Sequence, residues 1–233
     1  MEEFMTASFW LAVGQIIMID ILLGGDNAVV IALACRNLPP KQRRLGIIYG
    51  TAGAIVLRVI LIAFALALLS VPYLKIVGAI LLLWIGVKLM IPEDEGDHNI
   101  SPSDKLWGAV KTVIVADLVM SVDNVLAIAG AAQGAGQQHQ LPLVIFGLVV
   151  SIPIIVWGSQ IVLKLMERFP IIITLGAMLL GWIAGQMAYS DPAIKPYLPA
   201  FAYGGYLAAA AGALLVLVIA KALQMRQKSS TPA

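Results

Sequence analysis

Ile17-Met18-Ile19-Asp20-Ile21-Leu22-Leu23-Gly24-Gly25-Asp26-Asn27 and Ile114-Val115-Ala116-Asp117-Leu118-Val119-Met120-Ser121-Val122-Asp123-Asn124 carry the same polar signature: an Asp, five residues, then Asp-Asn. Both lie in apolar stretches long enough to cross a membrane. A carboxylate at mid-bilayer costs roughly 2.5–3.5 kcal/mol on insertion scales, so four facing lipid would cost on the order of 10 kcal/mol. Such residues face a bundle interior, and their default meaning is an ion pathway.

Composition defines the solvent. Hydrophobic residues make up 61% of the chain and charged residues 12%, against about 25% charged in a soluble domain. With a mean hydropathy of +0.94, the fold class is an all-α polytopic membrane protein. Met1-Glu2-Glu3 is acidic, unlike the start of a cleavable signal peptide, so the first span is expected to stay. The single cysteine, Cys35, excludes an internal disulfide and a CxxC redox motif. No Walker motif is present and nothing indicates an enzyme.

Working outward from the two Asp-Asn segments, apolar runs predict seven transmembrane helices, at about 9–35, 45–70, 73–91, 107–132, 142–164, 170–190 and 200–223. Basic residues orient them. Twelve of the fifteen fall at alternate breaks and the C-terminal tail: Arg36, Lys41, Arg43, Arg44, Lys88, Lys105, Lys111, Lys164, Arg168, Lys221, Arg226 and Lys228. The opposite side has Lys75 and Lys195, and Arg58 lies within a span. The positive-inside rule then puts the N-terminus outside and the C-terminus in the cytoplasm.

The chain is duplicated. A shift of 97 aligns Asp20 with Asp117, Asp26 with Asp123, and Asn27 with Asn124; a shift of 98 aligns Pro72 with Pro170, Gly78 with Gly176, and Trp84 with Trp182. Three spans per repeat force the second copy to enter from the opposite side, the 3+3 inverted-repeat plan of many secondary transporters. The expected organisation is a first repeat over 1–91, an acidic cytoplasmic linker over 92–106, a second repeat over 107–190, and a seventh helix with a cytoplasmic tail over 191–233.

At 100° per residue, Asp20 and Asn27 share a helix face while Asp26 is turned about 120° from Asp20. Unwinding at Gly24-Gly25 would let all three converge; Ser121-Val122 makes a matching break less secure. Inversion predicts two layers, Asp20 with Asp123 and Asp26 with Asp117. Oxygen donors without nearby imidazole favour hard divalent cations such as Mn²⁺, Ca²⁺ or Mg²⁺. The two histidines, His98 and His139, fall in polar breaks.

The Gly24-Gly25-Asp26-Asn27-Ala28 and Ser121-Val122-Asp123-Asn124-Val125 segments resemble the two signature motifs of the TerC family of integral membrane proteins, and the likeness covers nearly the whole chain. The resemblance implies Mn²⁺ export, a bacterial plasma-membrane location, and metal-binding roles for Asp20, Asp26, Asn27, Asp117, Asp123 and Asn124. Mn²⁺ would be transported substrate, with no permanently bound cofactor.

Competing roles are structural. The four Asp side chains would otherwise form a polar network or helix caps, and each Asn an interhelical hydrogen bond of about 0.6 kcal/mol. Arg58 is a counter-ion for one or two carboxylates, a surrogate cation, or part of a structural pair; its repeat mate is the uncharged Ile155. Trp84 and Trp182 read as packing residues. Gly46-Ile47-Ile48-Tyr49-Gly50 fits close helix approach and is weak evidence for a homodimer. The other partners in view are the bilayer, the divalent cation and a secretion-machinery component, with no nucleic acid. The function expected is a divalent-cation exporter that exchanges for protons; the alternative is a non-transporting membrane partner that delivers Mn²⁺ to exported enzymes.

Overall fold

The computed structural model describes residues 14, 18, 25–64, 71–91, 101–133, 140–198, 201 and 203–230. Among them every regular element is helical: α1 Gly25–Cys35, α2 Pro40–Ala63, α3 Leu74–Met90, α4 Pro102–Gln133, α5 Gln140–Arg168, α6 Ile171–Tyr189 and α7 Gly204–Ser230, with a 3₁₀ turn at Lys195–Tyr197. Stretches of α2, α5, α6 and α7 are each long and apolar enough to span a bilayer. The exterior is oily, with Val56, Ile60, Trp157, Ile161 and Val218 exposed, while Asn27, Thr51, Arg58, Asp117, Ser121, Ser151, Ser159 and Asp191 are buried. A soluble protein shows the reverse bias; a bundle solvated by lipid turns its costly groups inward.

Several helices begin or end beyond the expected span limits, and local chemistry explains two starts. Helix α2 starts at Pro40 rather than near residue 45 because a proline at the first helical position loses no hydrogen bond and has its φ pre-set. The Arg43 amide already donates to the Pro39 carbonyl at 2.8 Å. Arg43 and Arg44 therefore lie on the helix, not in a loop. Helix α4 starts at Pro102 because Ser101 is its N-cap: Ser101 Oγ accepts from the Asp104 amide at 3.2 Å and donates to Asp104 Oδ2 at 2.7 Å. Residues 102–106, expected in the linker, thus belong to α4; residues 92–100 lie outside those described. At 32 residues, α4 is about 48 Å long and exceeds the roughly 30 Å hydrocarbon core.

Small residues set the helix spacing. Along α6, a Cβ on Gly181 would strike the Gly212 carbonyl and one on Gly185 the Ala208 carbonyl, both on α7. Backbone therefore meets backbone across this pair, the small-xxx-small packing used in membranes. Gly50 and Gly53 similarly admit Val113 and Ile114 of α4 against α2, and Gly46 faces Cys35, Leu38 and Leu106. The Gly46–Gly50 face is thus occupied within the chain. Trp84, expected to pack, is 58% exposed and lies beneath the Lys88 ammonium, 5.1 Å from the ring centroid.

Asp191 is fully buried after α6. Its carboxylate accepts the amides of Tyr73 at 3.2 Å, Lys75 at 3.1 Å, Ile76 at 3.3 Å and Ala193 at 2.8 Å. It thereby caps α3 from another segment, where Tyr73 is left-handed at φ 65° and offers no side-chain cap. The negative charge also complements the positive end of the α3 dipole. Asp191→Ala is expected to destabilise the protein by about 2–3 kcal/mol, since charge-assisted cap bonds are lost at a buried helix start. Thermal unfolding in detergent checks this; an unchanged midpoint would mean that the cap contributes nothing.

Candidate functional site

Helix α2 presents one buried stripe at Ile47, Thr51, Ala54, Arg58 and Leu61. This heptad spacing fixes one inward face and carries Arg58 into the bundle, where it is 2% exposed. Its Nη2 donates to Asp117 Oδ1 at 2.5 Å, and its Nε donates to Ser121 Oγ at 3.1 Å. Ser121 Oγ in turn donates to Asp117 Oδ2 at 3.1 Å. Asp117 and Ser121 stand one turn apart on α4, so a single guanidinium engages both positions. Hydrogen-bonded ion pairs of this kind offset the several kcal/mol needed to desolvate each charge.

Asp26 and Asn27 lie on α1. Asp26 is half-buried, and its Oδ1 accepts the Asn27 amide at 2.9 Å. The charges of Arg58 and Asp117 both act on it. Asn27 is 4% exposed, yet among the described residues neither its Oδ1 nor its Nδ2 has a hydrogen-bond partner. Each such group costs about 1–3 kcal/mol when left unsatisfied in an interior, so a buried carboxamide without partners calls for a ligand or a functional reason.

Asp26, Asn27, Asp117 and Arg58 are thus placed by side chain. Asp20 lies outside the described residues; Asp123 and Asn124 lie on α4, with side chains outside the description. Among the described residues no three His, Cys, Asp or Glu side chains converge as a metal cluster. The carboxylates brought into electrostatic reach of each other are Asp26 and Asp117, which with Arg58 sum to one net negative charge. Ile155, which a shift of 97 in the sequence aligns with Arg58, is also buried, so the two aligned positions hold a cation and an alkyl group. Helix α4 runs unbroken through Ser121-Val122 and Gly25 is helical, while Gly24 lies outside the described residues.

Two residues escaped the sequence reading. Ser121 is noticeable as a hydroxyl one turn from an intramembrane Asp, but that spacing alone does not reveal Arg58. Thr51, 2% exposed and with its hydroxyl unpartnered among the described residues, stands two turns before Arg58 on the buried stripe. Its signal is the seven-residue spacing to an intramembrane cation.

Residues 5–229 match the family described as "Integral membrane protein TerC family". The uncharacterized membrane protein YjbE of Bacillus subtilis (strain 168) is 43% identical over 183 residues, which cover 78% of this chain and 81% of that protein. The uncharacterized membrane protein YceF of the same organism is 28% identical over 190 residues, covering 78% and 72% respectively. The UPF0053 inner membrane protein YgdQ of Escherichia coli (strain K12) is 23% identical over 178 residues, covering 69% and 73%. No solved structure matches. With apolar helices, inward polar residues and a family match over nearly its whole length, the chain belongs to the TerC family of integral membrane proteins.

Proposed function

We propose that the protein is a secondary exporter of a divalent cation, Mn²⁺, through a midplane site built on Asp20, Asp26, Asn27, Asp117, Asp123 and Asn124. The observation that carries this reading is the Asn27 carboxamide, buried beside Asp26 and with no hydrogen-bond partner among the described residues. Carboxamide and carboxylate oxygens are fitting ligands for a hard cation, and Mn²⁺ sheds water more readily than Mg²⁺ does. Arg58 neutralises Asp117 in the low-dielectric interior, so a dication reaching that carboxylate must displace the guanidinium.

The helix contacts support the inverted repeat. Gly78 of α3 faces Val119 of α4, and its mate Gly176 of α6 faces Val29 and Leu33 of α1. Exchanging the repeats carries the α3–α4 pairing onto the α6–α1 pairing, with the contact displaced along the helix, since Val119 aligns with Leu22 and not with Val29 or Leu33. Contacts between breaks support alternating topology: Arg43 with Glu167 and Gln224 with Met90 at one face, Asp191 with Lys75 at the other. With the basic face cytoplasmic, a reporter fused after Arg226 should be cytoplasmic and one within 133–140 external. Both reporters on one side would sink this topology.

Moving a dication out against an interior-negative potential costs about 4.6 kcal/mol per 100 mV. Proton entry is the proposed source, because protons and metal compete for the same carboxylates. Purified protein in liposomes should move Mn²⁺ faster with a pH gradient than without one. Asp26→Asn should abolish that flux and leave the protein inserted, since removing a charge eases burial. No flux from well-folded wild-type protein would exclude transport by this chain alone and favour delivery of Mn²⁺ to a partner. Wild-type flux from the folded Asp26→Asn variant would remove Asp26 from the path.

A further inference from the structure

At the basic end of the bundle, α2 and α5 enclose a groove of about 630 Å³. Its upper wall carries Arg43, Arg44, Lys164 and Glu167, three cations against one carboxylate. Arg43 is taken up by Glu167 at 2.5 Å and by the Arg36 carbonyl at 2.9 Å. Among the described residues, Arg44 and Lys164 have no carboxylate within salt-bridge distance. They stand on different helices, yet line one concavity.

The lower wall is of another kind. Ile47 and Trp157 line it, and Trp157 is 74% exposed. Trp157 precedes Lys164 by seven residues, about 10 Å along the helix axis, with Gln160 and Leu163 lining the groove between them. The groove thus changes from cationic to apolar and aromatic over the distance from a phospholipid phosphate to its upper acyl chain. A soluble anion would use the cations and leave the lower wall unmatched. Basic recesses between membrane helices on the cytoplasmic side take anionic lipid headgroups, and an interfacial Trp suits the boundary below them.

We infer that this groove is a binding site for one anionic phospholipid of the cytoplasmic leaflet, with the phosphate between Arg44 and Lys164 and an acyl chain along Trp157. The inference is independent of the exported ion, because the groove shares no residue with the Asp26–Asp117 site.

Native mass spectrometry of the full-length protein, titrated with phosphatidylglycerol or phosphatidylcholine, tests it. One phosphatidylglycerol should be retained at least tenfold more tightly than phosphatidylcholine. Arg44→Gln with Lys164→Gln should weaken its binding about 30-fold, as expected for two lost basic contacts. Equal affinity for the two lipids, or unchanged phosphatidylglycerol binding by the double variant, would overturn the site. Inorganic phosphate that protects against thermal unfolding as well as phosphatidylglycerol does would identify a soluble-anion site and overturn the lipid assignment. Should the double variant not fold, brominated lipids decide: Trp157 emission, defined by difference from Trp157→Phe, should be quenched at lower mole fraction by brominated phosphatidylglycerol than by brominated phosphatidylcholine. Equal quenching would refute the proposal.

Discussion

Asp117→Asn is expected to destabilise the protein by about 3–5 kcal/mol, the cost of stranding one member of a buried ion pair. Arg58 is 2% exposed and sits with its Nη2 on Asp117 and its Nε on Ser121. An amide at position 117 can accept a hydrogen bond but cannot balance the guanidinium charge. Arg58→Met should also destabilise, because it leaves Asp117 near the like charge of Asp26. The double variant Arg58→Met/Asp117→Leu removes both charges and fills the space with alkyl groups. Replacing a whole buried pair in this way is often neutral or stabilising, so the double variant should recover most of the lost stability. It should not recover Mn²⁺ flux, if Asp117 belongs to the path. Thermal unfolding in detergent and flux in liposomes separate the two roles. A double variant as unstable as the singles would refute the pairwise account, and wild-type flux from it would assign Asp117 a structural role alone.

Gly185→Leu should prevent α6 and α7 from docking. The Ala208 carbonyl already occupies the position that a Cβ on Gly185 would take, and the Gly212 carbonyl does the same at Gly181. Backbone has no rotamer with which to yield, so the helices must separate along the whole seam. Overpacking one core position costs about 1–3 kcal/mol when side chains can adjust; here a branched side chain meets main chain, and a loss above about 4 kcal/mol is expected. Gly205→Ala is the control. A Cβ there meets only the Tyr189 ring at 3.7 Å, an ordinary contact, and alanine gains up to about 1 kcal/mol in helix propensity. The measurement is the yield of monodisperse protein and its unfolding midpoint. Comparable behaviour of the two variants would mean that the α6–α7 approach is not held by the missing Cβ atoms.

The sequence by itself determined the solvent, the all-helical class, the family and the residues to suspect. Lipid offers the backbone no hydrogen bonds, so apolar length implies helices, and an Asp inside such a stretch is too costly to go unnoticed. Pro40, Ser101 and Asp104 mark helix starts through cap chemistry, which hydropathy does not register. The tertiary structure decided which way each helix faces. Lipid-facing and core-facing residues are equally apolar: Val56 and Ile60 are exposed on α2, while Ala54 and Leu61 are buried. No local pattern marks the inward side except polar residues such as Thr51 and Arg58. The pairing of Arg58 with Asp117 spans 59 residues, and the capping of α3 by Asp191 spans 118 at Tyr73. Partnerships at such separations arise when packed helices bring charges together, because sequence spacing fixes neighbours along one helix but not across two.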